Sequence, residues 1–385
     1  MGLRWDKLLE FTRGEVKEES REIARLRKKY DSGEARVGDV LELAKYLQSR
    51  KESRKSSIIL GELIRRDDIG MDVLLDVCEL FERSGNYEAA FEGYGKLRSL
   101  RNDEALPLYR MGRLLEKQGR LTEAIKLHSE ALALEPENPE CHYRLGVAYT
   151  KNRDYDKAEL CYRKAINIDP THSKSYTNLG YILDLGGKRS AALQQFRKAV
   201  QHNPRSAEAH FNLGALYGDE GDRDQAIKEF RIGIEIDPGC IEGHYNLGVA
   251  LINEGKYDDA LEEFGKILKL ESDNVNALFY QGLIYYRKGL YSKALKKLHQ
   301  AAHLNPGNST ILFYVGECFN KLEEPKKAQE YFKRVAEINP DDQRVYFSMG
   351  IAYEKQDDKR KAREWYRMGG GGFQGSVRGT NRITG

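Results

Sequence analysis

The chain has 385 residues, and its 63 Lys and Arg against 60 Asp and Glu leave a formal charge of +3. That near balance argues against a dedicated nucleic-acid binder, whose affinity rests on a large excess of phosphate-neutralising charge. A composition of 40% hydrophobic and 32% charged residues suits a folded core, and no apolar run approaches the roughly 18 residues of a membrane span.

The start, Met1 to Lys7, lacks an apolar leader stretch, which predicts a cytoplasmic protein. Residues 1–36 read as an N-terminal helical cap. Charges are dense over 14–30, yet Val16, Ile23 and Tyr30 recur at heptad steps along one helix face. Two divergent units follow, over 37–104. In 37–70, Leu43, Ala44 and Leu47 fit a repeat that Lys51 and Ser56 break; in 71–104, Phe81, Gly85, Tyr87 and Ala90 fit while Cys78 replaces a glycine.

The repeat itself is plain from residue 105. Glycine returns every 34 residues at Gly112, Gly146, Gly180, Gly214, Gly248, Gly282, Gly316 and Gly350, and alanine follows twelve positions later each time, from Ala124 to Ala362. Proline closes most units, at Pro136, Pro170, Pro204, Pro238, Pro306 and Pro340, with Ser272 in the remaining turn. Eight units thus fill 105–368, the last one truncated. Residues 369–385, with Gly369 to Gly372, Arg378, Arg382 and no acid, read as a Gly-rich flexible tail.

The unit 207–240 shows the physics. Leu213, Gly214 and Tyr217 share one side of a first helix that Gly221 ends. Ala226, Phe230 and Gly233 form a stripe on a second helix, which Pro238 stops. Small residues let the two helices approach, and the rings fill the space around them. Such a pair cannot bury its apolar face alone, so successive pairs must stack into an α-solenoid with a concave side.

These residues resemble the tetratricopeptide repeat (TPR) family: Leu179-Gly180, Leu213-Gly214 and Leu247-Gly248, with Ala192, Ala226, Ala260 and the trailing prolines. The resemblance implies an all-α TPR α-solenoid, a right-handed superhelix of antiparallel helix pairs. A 35-residue pentatricopeptide array, which would read RNA, fits the 34-residue step less well.

No catalytic, metal or cofactor site emerges. Gly370-x-Gly372-x-x-Gly375 matches a dinucleotide fingerprint but lacks the strand and helix that the chemistry requires. Gly186-Gly187-Lys188-Arg189-Ser190 lacks phosphate-loop spacing and falls in a turn. His142, His210 and His244 take equivalent first-helix positions, too far apart to share a metal when helices pack about 8–10 Å apart, and read as packing residues. His299 and His303 lack the glutamate of a zinc-protease motif. Cys78, Cys141, Cys161, Cys240 and Cys318 are scattered singly and read as small buried hydrophobes.

In the family, the first helix of each unit lines the concave face. The position two residues before the glycine reads Arg110, Arg144, Asn178, Asn212, Asn246, Tyr280, Tyr314 and Ser348 along this chain. Asparagine amides both donate and accept, so the middle three suit the backbone of an extended peptide. They resemble the asparagine ladder of O-linked N-acetylglucosamine transferase, and the two arginines predict an acidic portion of the ligand at their end. The preceding row, Tyr109, Tyr143, Thr177, Phe211, Tyr245, Phe279, Phe313 and Phe347, holds no lysine, which disfavours a chaperone-tail clamp. Packing between repeats is its expected role.

The expected function is a non-catalytic scaffold or adaptor, without cofactor, that binds a protein or peptide partner in the groove. Two alternatives stand beside it: a substrate-presenting subunit of a separate glycosyltransferase-type enzyme, and end-to-end self-association through Trp365 and Tyr366. Nucleic acid and membrane are not expected partners.

Overall fold

The computed structural model describes residues 21–369, which form 21 helices and no strand. Val16 of the expected cap, the glycine fingerprint and the tail from residue 370 lie outside these described residues.

Two compact units divide the chain, Met1–His202 and Asn203–Gly385. The first holds α1 (Arg21–Asp31) and five helix pairs: α2 (Val37–Ser49) with α3 (Ser53–Arg65), α4 (Met71–Arg83) with α5 (Tyr87–Leu100), α6 (Ala105–Lys117) with α7 (Leu121–Leu134), α8 (Pro139–Lys151) with α9 (Tyr155–Ile168), and α10 (Ser173–Leu185) with α11 (Arg189–His202). The second holds α12 (Ala207–Glu220) with α13 (Arg223–Ile236), α14 (Ile241–Asn253) with α15 (Tyr257–Leu270), and α16 (Val275–Arg287) with α17 (Tyr291–Leu304). It ends with α18 (Ser309–Lys321) against α19 (Pro325–Ile338) and α20 (Gln343–Glu354) against α21 (Lys359–Met368). Every first helix starts 34 residues after the one before it, and so does every second helix. Within each unit the second helix of one pair packs on the first helix of the next.

The periodic residues are the ones that make contact. A Cβ on Gly146 would lie 2.7 Å from Tyr162, one on Gly180 2.7 Å from Phe196, and one on Gly248 2.8 Å from Phe264. The glycine therefore lets the first helix rest on the ring of the second. The divergent unit keeps the ring, as the fully buried Tyr94, but changes the residues around it. Cys78 takes the glycine position, and the facing helix supplies Gly93, whose Cβ would stand 2.5 Å from the Cys78 sulfur. In the pair before it, Ser56 replaces the alanine and donates its buried hydroxyl to the Ala44 carbonyl at 2.9 Å. α1 buries Leu26, and its Tyr30 hydroxyl donates to Glu62 of α3 at 2.6 Å.

The turn between the helices of each pair is equally regular. Gly119 donates to the Glu116 carbonyl and Arg120 to the Leu115 carbonyl, the paired bonds of a Schellman motif around a left-handed residue. Glycine fills that position at 85, 119, 187, 221, 255 and 289, with φ between 72° and 86°. Lys51, Arg153, Glu323 and Asp357 fill it in the other pairs, with φ of 58° to 61°. A side chain there costs about 1–2 kcal/mol, partly offset by the entropy that glycine loses on folding. Arg153→Gly is accordingly expected to stabilise the protein by about 0.5–1 kcal/mol, read as a higher urea midpoint. An unchanged or lower midpoint would contradict the strain.

The interaction face of the first helices

Seven of the eight residues singled out before the glycine, from Arg110 to Tyr314, are half-buried on their first helices, and Ser348 is buried. In the first unit, Arg110 donates to Glu79 Oε1 at 2.9 Å and lies 3.6 Å from Glu82, both on α4. Glu82 also accepts the Tyr94 hydroxyl at 2.6 Å. Arg144 donates to Glu140 at 2.6 Å. Burial raises the Glu140 carboxyl, but His172 and Arg144 outweigh it and hold the group below its ordinary range. The two guanidiniums therefore carry carboxylates of their own chain.

Lys151 continues that pattern. Its Nζ lies 2.6 Å from Glu116 Oε2, while His128 stands 2.8 Å from Oε1. Burial raises the Glu116 carboxyl, and the hydrogen bonds from His128 and Lys151 more than reverse it. With its folded pKa depressed, Glu116 contributes stability above its unfolded value of about 4.3, and that stability fades as pH falls through the folded pKa. Lys151→Met removes one depressing partner, so the acid-unfolding midpoint is expected to move to higher pH. Because Lys151 is half exposed, the cost at neutral pH is only about 1 kcal/mol. An acid limb that stays in place would refute this assignment.

Asn178 closes the first unit's row. Its amide donates to the Tyr162 hydroxyl at 3.1 Å, so part of its capacity is used internally. Beyond it on α10, Tyr181 and Leu185 are both exposed, at 46% and 53%.

In the second unit, Asn212, Asn246, Tyr280 and Tyr314 take the same position on α12, α14, α16 and α18. Neither the Asn212 nor the Asn246 amide makes a hydrogen bond among the described residues. The tyrosines belong to a ring network. Tyr280 stacks on Phe264 at 5.1 Å and receives the Tyr245 hydroxyl at 3.2 Å, while Tyr314 meets Phe279 and Tyr286 edge-on. Burial, with the contact to Tyr280, pushes the Tyr245 hydroxyl up to about 12. The row of aromatic residues packs between repeats: Phe211 lies against Gly233 and Gly243, and Phe279 against Tyr314. An open pocket of about 590 Å³ beside Asn246 is lined by Asp237, Glu242, Tyr245, Glu271 and Asn274 among others.

His210 and His244 lie inside the pairs. Each Nε2 donates to a proline carbonyl six residues back, Pro204 and Pro238, at 3.0 Å. Each Nδ1 stands 2.6 Å from a second-helix carboxylate, Glu229 and Glu263. A carbonyl can only accept, so Nε2 carries a proton and another lies between Nδ1 and the glutamate. His142 makes the same proline contact, to Pro136 at 2.9 Å. Burial pushes the thiols of Cys78 and Cys318 up to about 12 and those of Cys141 and Cys161 up to about 11. Among the described residues, no group of three His, Cys, Asp or Glu is placed to hold a metal ion, and no helix is long and apolar enough to cross a membrane.

Tetratricopeptide repeat models match residues 112–153, 139–172, 161–194, 185–221, 207–240, 245–309 and 285–346. The chain belongs to the tetratricopeptide repeat family. Its fold is the all-α TPR solenoid, and its repeats make it a protein-interaction scaffold. The C-terminal part of a TPR repeat-containing protein from Cytophaga hutchinsonii is similar at 20% identity and a TM-score of 0.51, over 63% of this chain and 99% of that one. YrrB, described as a TPR protein with an unusual peptide-binding site, is 26% identical, with a TM-score of 0.38 over 48% of this chain and 95% of its own. MamA from Desulfovibrio magneticus RS-1 is 21% identical, with a TM-score of 0.41 over 42% and 92%. No curated protein sequence matches the chain.

Proposed function

We propose that this TPR protein is a non-catalytic adaptor whose first helices hold an extended segment of a partner protein. The observation that carries this reading is the pair Asn212 and Asn246, same-position amides on consecutive first helices whose donors and acceptors are not used among the described residues. A partner backbone can satisfy both ends of such an amide whatever its side chains. Tyr280 and Tyr314 continue the row as an apolar floor with hydroxyls at its edge. Asn178 takes the same role in the first unit, with Tyr181 and Leu185 beside it for an apolar side chain. An acidic residue of the segment is disfavoured at Asn246, where Asp237, Glu242 and Glu271 stand nearby.

The test uses a random twelve-residue peptide library selected on the immobilised full chain. For enriched peptides, the double variant Asn212→Ala/Asn246→Ala is expected to lose about 1–3 kcal/mol of affinity, at about 0.5–1.5 kcal/mol per direct hydrogen bond. Unchanged affinity with unchanged helicity would remove the groove model. End-to-end self-association does not belong to this reading. α1 carries five basic and two acidic side chains and α21 five and one, so these two end helices repel.

A further inference from the structure

Within the second unit, the pairs show what the outer face of a second helix receives. The ring at the eighth position of α15, Phe264, stacks on Tyr280 of the following first helix at 5.1 Å. At the fifth position, the Leu261 carbonyl accepts from Gln281 of that helix at 3.3 Å. The ninth position of α13, Arg231, reaches the following second helix, 4.0 Å from Asp259. On α21 these three positions are Arg363, Tyr366 and Arg367.

That face is built as a contact face, with different chemistry. The fifth position is Ile227, Leu261, Leu295 and Gln329 in the earlier pairs of this unit, uncharged in each, but Arg363 here. Both Arg363 and Arg367 are exposed, and neither has an ion-pair partner among the described residues. Phe347 is 50% exposed, whereas its equivalent Phe313 is 8% exposed beneath the Arg344 guanidinium of the following first helix, 4.8 Å away. Met368 is 63% exposed beside them. Tyr366 lies against Phe347 with ring centroids 5.5 Å apart.

We infer that the outer face of α20 and α21 seats an acidic amphipathic helix from a partner protein, in the place a further first helix would take. Its apolar stripe covers Phe347, Tyr366 and Met368, and its carboxylates meet Arg363 and Arg367. Charge selects this occupant. Residues 370–385 contain Arg378 and Arg382 and no acid, and α1 of a second copy is itself basic, so both are repelled.

The probe is a fluorescein-labelled synthetic peptide of residues 207–220, a first helix with Glu208, Asp219 and Glu220 beside an apolar stripe. A control peptide carries lysine at those three positions. Titrated with the full chain, the acidic peptide should bind saturably, more weakly in about 0.3 M salt, and the lysine peptide should not. Arg363→Glu/Arg367→Glu should weaken binding by about tenfold or more. Both side chains are exposed, and circular dichroism checks that the variant keeps its helices. Absence of peptide binding, equal binding of both peptides, or indifference to the double variant would overturn the inference. So would cosedimentation of the chain with phosphatidylserine vesicles in place of peptide binding, or a dimer in the ultracentrifuge that the double variant dissolves.

Discussion

Replacing His210 by leucine is expected to destabilise the protein by about 3–5 kcal/mol, because it strands the Glu229 carboxylate inside its helix pair. That carboxylate is 12% exposed, and its one ion-pair partner among the described residues is the imidazole 2.6 Å away. The substitution also leaves the Pro204 carbonyl without its donor. His244→Leu should cost less, although the geometry is the same. Lys266 lies 2.9 Å from Glu263 and remains to compensate the charge. Replacing His210 and Glu229 together by leucine should recover much of the loss, since a buried ion pair and an apolar pair of similar volume are often close in stability. Urea unfolding of the variants gives the order. Equal costs at His210 and His244 would show that the glutamates are solvated well enough to stand alone.

The glycine–ring contact yields the other large effect. Phe264 is fully buried, and Phe264→Ala should cost about 3–5 kcal/mol through lost transfer energy and the cavity left behind. Gly248→Val should cost about 1–3 kcal/mol, because its side chain would occupy space that Phe264 fills 2.8 Å from a Cβ. The two changes are not independent. In the Phe264→Ala background, valine at 248 fills part of the void, so it should stabilise there and destabilise in the parent. Additive costs would mean that ring and glycine do not share one space.

The helices were legible because the residues that recur every 34 positions are those that touch. Gly248 and Phe264 are sixteen apart since that span returns the chain to the same level on the facing helix. The departures at Lys51 and Ser56 read only as breaks in the sequence, and the structure supplies their reasons: Lys51 sits at the left-handed turn and Ser56 bonds a carbonyl. The charge at the interaction face was not legible. Arg110 and Arg144 look free when one position is read along the repeat, but their carboxylates come from other positions, Glu79 and Glu140. The buried His–Glu pairs were also missed. Their signal was a nineteen-residue spacing, present at His210 and His244 but ending on Cys161 for His142. The division after His202 had no sequence mark, because the period runs through it unbroken.

Within each unit, the contacts of a hairpin run to the hairpins next to it. Inside one unit, then, a pulling force has no single bond network to break at once. A terminal hairpin can peel away while its neighbours hold, paying out about 110–120 Å of slack for 34 residues of released chain. Such a molecule yields to load in equal steps, as a spring with discrete coils does, and re-forms them one at a time when the load is removed.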